Sequence, residues 1–189
     1  MEPFLHGCSI YLRPVEHDDS VHRVAWLNDP EINRTLDFEL PVGEAMTREW
    51  IRRVSADGTR RDMTVCDLTS RQPIGWGGLL AIDWRHRKAE SYLGIGDKHY
   101  WGTGVAGQVR LLLLELAFDV MGLNRVYSTV WVENLAMQRL NERAGLRREG
   151  VLRAHKYAHG QYRDYVVYGI LRSDYESDKQ AVGSRDARS

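Results

Sequence analysis

Polar and apolar residues alternate over Ser9-Ile10-Tyr11-Leu12-Arg13, and Pro14 stops the run. This predicts a first strand. Asp18 and Asp19 then offer a helix cap, and Val21, Val24, Ala25 and Leu27 follow at helical spacing until Pro30, which cannot continue a helix. Glu44 to Val54 presents Met46, Trp50, Ile51 and Val54 with the same period and predicts a second helix. Three strands are expected next, over Asp62–Leu68, Ile74–Ile82 and Lys88–Ile95. Their connections, Thr69–Pro73 and the polar break Trp84–Arg87, are short enough to imply antiparallel pairing. Gly102 to Val120 reads as a strong helix with a glycine-rich start and Gly122 as its cap. Asn124–Val132 reads as a β-branched strand and Leu135–Ala144 as a short helix ending at Gly145. A last strand pair, Arg147–Tyr157 and Tyr162–Leu171, turns at His159-Gly160. The pattern fades after Asp174, so one domain is expected over 1–175 and a disordered tail over 176–189.

The chain has 189 residues, 43% hydrophobic and 28% charged, enough for one domain with a sizeable core. Lysine plus arginine balances aspartate plus glutamate, so no nucleic-acid or membrane-surface partner is implied. The two cysteines suggest no disulfide framework and fit a reducing, cytoplasmic compartment. The N-terminus lacks the pattern of a signal peptide, and the apolar cluster Leu111–Leu114 is too short to span a bilayer.

Gly102-Thr103-Gly104-Val105-Ala106-Gly107 follows a strand and opens a helix. Glycines let a backbone approach an anion closely, and a helix N-terminus offers unpaired N–H groups with partial positive charge. A pyrophosphate suits this place. The spacing also fits a dinucleotide fingerprint, with Glu133 where a ribose-binding acid would stand. Six residues, Gly96 to Trp101, separate the turn from its strand, and a meander precedes it instead of further parallel units. Both features count against the dinucleotide reading.

Five stretches carry a more specific likeness: Ala89–Ile95, Tyr100–Ala106, Asn134–Met137 with Glu142 and Gly145, Glu149–Arg153, and Gly160–Asp164. In order and spacing they resemble the GNAT superfamily of N-acetyltransferases. Within it they are most similar to the ribosomal-protein N-terminal (Rim-type) group and to relatives acting on polyamines and amino sugars. The likeness runs from about Ile10 to Tyr175. It implies an α/β fold with a mixed, mostly antiparallel sheet of about seven strands, splayed between the fourth and fifth, with helices on both faces. It implies acetyl-CoA as cosubstrate, without a metal. The pyrophosphate would lie on backbone N–H groups from Gly102, Thr103, Gly104, Val105, Ala106 and Gly107, beside Trp101. Gly94, Ile95 and Gly96 would line the pantetheine arm, with the acetyl carbonyl near the Ile95 N–H, and Asn134 would bind the arm. The family analogy also allows a homodimer through exposed strand edges.

Acetyl transfer needs a neutral amine, a polarised carbonyl and a stabilised leaving thiolate. Glu90 is the candidate base; its plainer alternative is a solvated strand carboxylate beside Arg87 or Lys88. Many relatives carry a tyrosine acid seven residues after the asparagine, where this chain has Asn141, and a serine where it has Met137. Tyr92, Tyr100, Tyr157 and Tyr162 are the remaining hydroxyls. Trp26, Trp84 and Asp164 are candidate acceptor contacts, against core packing for the tryptophans and a turn role for the aspartate. His155 and His159 would lie roughly 13 Å apart on a strand, too far for a shared metal. The expected activity is direct acetyl transfer to a primary amine: a protein N-terminus, a polyamine, an amino sugar or an antibiotic amine. The alternatives are a non-catalytic acyl-CoA-binding module and a dinucleotide-dependent oxidoreductase.

Overall fold

The computed structural model describes residues 5–36 and 38–186, with side chains up to residue 179. In chain order the elements are β1 (Leu5–His6), β2 (Ile10–Pro14), α1 (Ser20–Leu27), α2 (Pro30–Asn33), α3 (Glu44–Ser55), β3 (Arg61–Asp67), β4 (Pro73–Asp83), β5 (Lys88–Ile95), α4 (Val105–Glu115), β6 (Arg125–Trp131), α5 (Leu135–Arg143), β7 (Arg147–Ala158), β8 (Gln161–Leu171) and α6 (Arg172–Asp186). A π-helical turn, Leu116–Val120, prolongs α4. Among the described residues none forms a helix long and apolar enough to cross a membrane, and no group of three metal-ligating side chains occurs.

The described strands form one sheet in the order β1-β2-β3-β4-β5-β6-β8-β7. That is eight strands where about seven were expected; the addition is β1, two residues paired with β2 and too short for a period to reveal. Every pairing is antiparallel except β5 with β6. The larger core lies under α4, where Val109, Leu113 and Ala117 meet Leu79, Ala89, Val126 and Ile170. On the other face α1, α2 and the approach to α3 close over Trp76 through Leu27, Ile32 and Val42. An irregularity in the β3–β4 register lets Ile74 enter the α4 core while Trp76, two residues on, faces α1.

The β5–β6 ladder is the feature that makes a cleft. Its register covers only Lys88↔Arg125, Ala89↔Val126 and Glu90↔Tyr127. Beyond these positions both strands continue without pairing each other, β5 held by β4 and β6 by β8. The expected splay between the fourth and fifth family strands is this wedge.

Two other expectations change. Asp19 stands at the N-cap position of α1, but its carboxylate accepts from both Arg13 guanidinium ends at 2.7 Å and from Thr64 Oγ1 at 2.7 Å. Burial alone would raise its pKa, but the hydrogen bonds from Arg13 and its neighbours win and hold it low. The segment expected to be a disordered tail from 176 to 189 is helical as far as Asp186. Residues 187–189 lie outside the described residues.

Candidate active site

The open end of the wedge is flanked by the glycine loop. Gly102 and Gly104 have φ of 76° and 88°, and Gly104 is the N-cap of α4. These left-handed positions explain the glycines, and added Cβ atoms at 102, 104 or 107 would meet nothing within 4 Å. The surface above the loop is therefore open for a bulky anion. The N–H groups of Val105 and Ala106, the first two of α4, have no carbonyl one turn earlier to receive them; that of Gly107 donates to the Gly104 carbonyl at 3.0 Å. Thr103 Oγ1 donates to the Tyr100 carbonyl at 2.7 Å, which fixes the turn from inside. Val105 is buried and anchors the start of α4 in the main core. Trp101 is exposed, and its Nε1–H donates to the Ile95 carbonyl at 2.9 Å, tying the loop to the end of β5.

Gly94, Ile95 and Gly96 divide their roles. The Gly96 N–H donates to Ile74 on β4 at 2.9 Å. Successive backbone groups of a strand point to opposite neighbours, so those of Ile95, Leu93 and Ser91 turn toward β6 and into the wedge. A Cβ at Gly94 would overlap the Trp76 ring, and one at Gly96 the Trp26 ring. These two glycines make room for tryptophans; only Ile95 of the three offers its N–H to the cleft.

Glu90 occupies the last paired position, at the apex of the wedge. It is half-buried and accepts a hydrogen bond from Thr129 Oγ1 on β6. By strand alternation its side chain faces away from α4. Tyr127, opposite it, has its phenol pKa raised by burial and then by the Glu90 charge. On the same face lies a cleft lined by Asp19, Arg23, Trp26, Trp50, Asp62 and Trp76. Trp26 and Trp76 stack with centroids 5.8 Å apart, and the Arg23 guanidinium sits 4.1 Å above the Trp50 ring. Asp62 is held by Arg60 at 2.9 Å and by the Tyr92 hydroxyl. Burial first, then the negative Asp62, pushes the Tyr92 phenol up.

Asn134 caps α5: its Oδ1 accepts from Met137 N at 3.1 Å, which leaves the amide NH₂ to donate to a ligand carbonyl. The end of the motif is a helix stop, with Gly145 at φ 84° and Glu142 accepting from the Tyr168 hydroxyl at 3.0 Å.

Two sequence candidates are engaged by the fold itself. Trp84 lies between β4 and β5, at the end of β5 remote from the open wedge, and its Nε1–H donates to Gly58 at 3.1 Å. Asp164 accepts from the Ala154 N–H at 2.7 Å and pins an irregularity of β7 where Ala154 has φ 49°. Trp84 has structural work away from the wedge, whereas Asp164 stands beside the open-wedge end of β6, where its carbonyl accepts from the Val132 N–H at 3.1 Å. The candidate tyrosines do not supply an acid at the apex either. Tyr92 is engaged by Asp62, Tyr100 interacts with Asp67 at the end of β3, and Tyr157 and Tyr162 face each other on the exposed terminal hairpin.

Sequence reasoning passed over Arg23, Trp50, Thr129 and Arg110. For Arg110 a signal existed: it is a lone charge in Val109-Arg110-Leu111-Leu112-Leu113-Leu114, a run too apolar to lie on a surface. The other three have no local mark, because strand and helix packing alone brings them to the cleft.

The wedge, the phosphate-ready helix end and the apical carboxylate form the arrangement expected of an acetyl-CoA enzyme. The family match agrees, covering residues 9–147 with the acetyltransferase (GNAT) domain. This chain belongs to the GNAT acetyltransferase family. It is 28% identical to the spermidine N(1)-acetyltransferase of Escherichia coli K12 over 180 residues, covering 93% of this chain and 92% of the relative. It is 28% identical to the uncharacterized N-acetyltransferase YoaA of Bacillus subtilis over 177 residues, covering 91% and 98%. The crystal structure of spermidine N-acetyltransferase from Vibrio cholerae in complex with CoA and spermine superposes with a TM-score of 0.80 at 28% identity, covering 89% of this chain and 99% of that one. The protein is accordingly an acyltransferase using acetyl-CoA to acetylate amines. For the narrower likeness to the ribosomal-protein N-terminal group, the relatives divide: the putative ribosomal N-acetyltransferase YdaF of Bacillus subtilis is 30% identical over 142 residues, covering 72% of each chain, while others are named for spermidine.

Proposed function

We propose that this GNAT enzyme acetylates the primary amine of a small polyamine-like acceptor, with Glu90 as base. The observation that carries the reading is the position of Glu90: at the apex of the wedge, on the same face of the sheet as the Trp26–Trp76 cleft. In this reading the pyrophosphate of acetyl-CoA rests on N–H groups of the loop 102–106. The arm runs between β5 and β6 past Ile95 and the Asn134 amide. The acceptor enters from the α1–α3 side, and Glu90 takes its proton directly or through water, since an alkylammonium is mostly charged at neutral pH.

The spermidine enzymes among the relatives favour a polyamine, and tryptophan faces suit an amine cation. Charge alone does not select a polycation here. Asp19 and Asp62 are each paired with an arginine, and Arg23 is a buried cation in the same cleft.

Thiol release from acetyl-CoA, followed with spermidine, spermine, a peptide with a free N-terminus and an amino sugar, tests the assignment. Turnover should be fastest with a polyamine. Faster turnover of the peptide or the sugar would move the acceptor class, and no amine-dependent release at all would favour a non-catalytic acyl-CoA-binding module.

A further inference from the structure

Arg110, on α4, is fully buried. Its guanidinium bridges the apex of the wedge. Nη1 donates to Ser91 Oγ on β5, Nη2 lies 3.4 Å from Ser128 Oγ on β6, and Met137 Sδ lies 3.8 Å from Nη2. Ser91 and Ser128 are the residues just past the last β5–β6 pair, Glu90↔Tyr127. All three partners are neutral. Of the five N–H donors of a guanidinium these contacts use three, and Nε–H is among those left without a partner. Burial lowers its pKa to about 10, and no charged group among the described residues contributes to the shift. One turn after Met137 on α5, Asn141 is also fully buried, and neither end of its amide has a partner.

A cation removed from water without an anion is among the most costly arrangements a core can hold. Among the described residues none supplies an anion here, and an anion that reaches the apex with a ligand would supply the missing counter-charge. Ligand geometry says which charge that is. An arm anchored by its pyrophosphate at the start of α4 and threaded into the wedge brings its far end, the thioester sulfur, toward the apex. Glu90 and Ser91 are consecutive on β5, so their side chains leave opposite faces. The base therefore stands on the acceptor side, and Arg110 on the α4 side.

We propose that Arg110 is a catalytic residue that holds the leaving thiolate as an anion, aided by the Asn141 amide, where many relatives use a tyrosine acid. The amine nitrogen attacks the thioester carbonyl carbon and the C–N bond forms. The C–S bond breaks, its electron pair stays on sulfur beside Arg110, and the ammonium proton passes to Glu90 or water. The thiolate takes a proton from solvent on release. This inference rests on the wedge being the acetyl-CoA cleft.

The test uses CoA carrying ¹³C at the carbon bonded to sulfur, titrated by NMR in complex with the wild type, Arg110→Met and Arg110→Lys, beside calorimetry, turnover and melting. In the wild type the bound thiol should titrate about one to three units below free CoA. Arg110→Met should still bind CoA, return the thiol to its free value or above, and lose about 100-fold in turnover. Its melting temperature should hold or rise, because an apolar side chain of similar volume removes a buried charge. Arg110→Lys should keep part of the thiol shift. An unshifted thiol in the wild-type complex overturns the proposal whatever the variants do, as does equal titration in wild type and Arg110→Met. Failure of the wild type to bind CoA overturns the cleft reading and this proposal with it.

Discussion

At the scale of single residues, chemistry concentrates where β5 and β6 part. As the proposed base, Glu90 offers a half-buried carboxylate, one hydrogen bond from Thr129 to fix its rotamer, and a place on the same sheet face as the Trp26–Trp76 cleft. Glu90→Gln keeps the shape and the Thr129 contact but cannot take a proton. Turnover should fall about 100-fold or more, while acetyl-CoA affinity stays near wild type. The defect should shrink as pH rises, because more acceptor then arrives already neutral. Thr129→Val keeps the carboxylate and loosens it, so its loss should be smaller. A pH–rate profile decides: near-equal, parallel profiles for wild type and Glu90→Gln would remove Glu90 from proton transfer. Thr129 could not have been found from sequence, since it is 39 residues away and reaches Glu90 only through the short parallel ladder.

At the scale of elements, the glycine loop and the start of α4 together carry the proposed pyrophosphate site. Gly104→Val places a β-branched side chain at φ 88°, where only glycine is at ease, and points it into the space a pyrophosphate would fill. Apart from the residue itself and its chain neighbours, nothing described lies within 4 Å of the new Cβ. The fold should therefore survive with strain on the order of 1–3 kcal/mol, while calorimetry shows acetyl-CoA affinity sharply reduced. Unchanged affinity in the folded variant would remove the loop from pyrophosphate binding. Elements of this kind were legible because their signals are local: alternation gave β2 to β5 nearly to the residue, and the loop glycines marked the start of α4. What was not legible depends on distant partners. The four-residue α2 is too short to show a period, although Asp29 caps it and Pro30 opens it. Gly94 and Gly96 looked like ligand-lining glycines, but it is Trp76 and Trp26, 18 and 70 residues away in sequence, that exclude a side chain there. Arg110 was visible as an odd charge, but its place across two strands was not.

At the scale of the whole molecule, the two ends of α4 are secured by different means. Its N-terminus is tied to β5 through Trp101. Its C-terminus passes into the π turn, which α6 braces. Tyr175 is buried, packs on Phe118 with ring centroids 4.9 Å apart and planes tilted by 34°, and donates to Asp119 at 2.7 Å. One turn on, Lys179 reaches the same carboxylate at 2.8 Å, but it is 58% exposed. The helix has no apolar stripe for a sequence to show: Tyr175 is its buried ring, and Arg172 adds hydrogen bonds to the Phe118 and Leu123 carbonyls. Removing everything after Ser177 deletes the Lys179 contact and keeps Tyr175. An exposed ion pair is worth about 0–1 kcal/mol, so the melting temperature should fall by less than about 4 °C. Tyr175→Ala removes a buried ring together with its hydrogen bond and should cost about 3 kcal/mol, or roughly 6–12 °C for a chain of this size. Because the ring supports the helix that carries the phosphate loop and Arg110, acetyl-CoA affinity should fall with Tyr175→Ala and hold in the truncated chain. Calorimetric melts of the two variants beside the wild type separate the cases. A loss on truncation as large as that of Tyr175→Ala would show that the end of α6 carries the brace, and that the functional domain extends past residue 177.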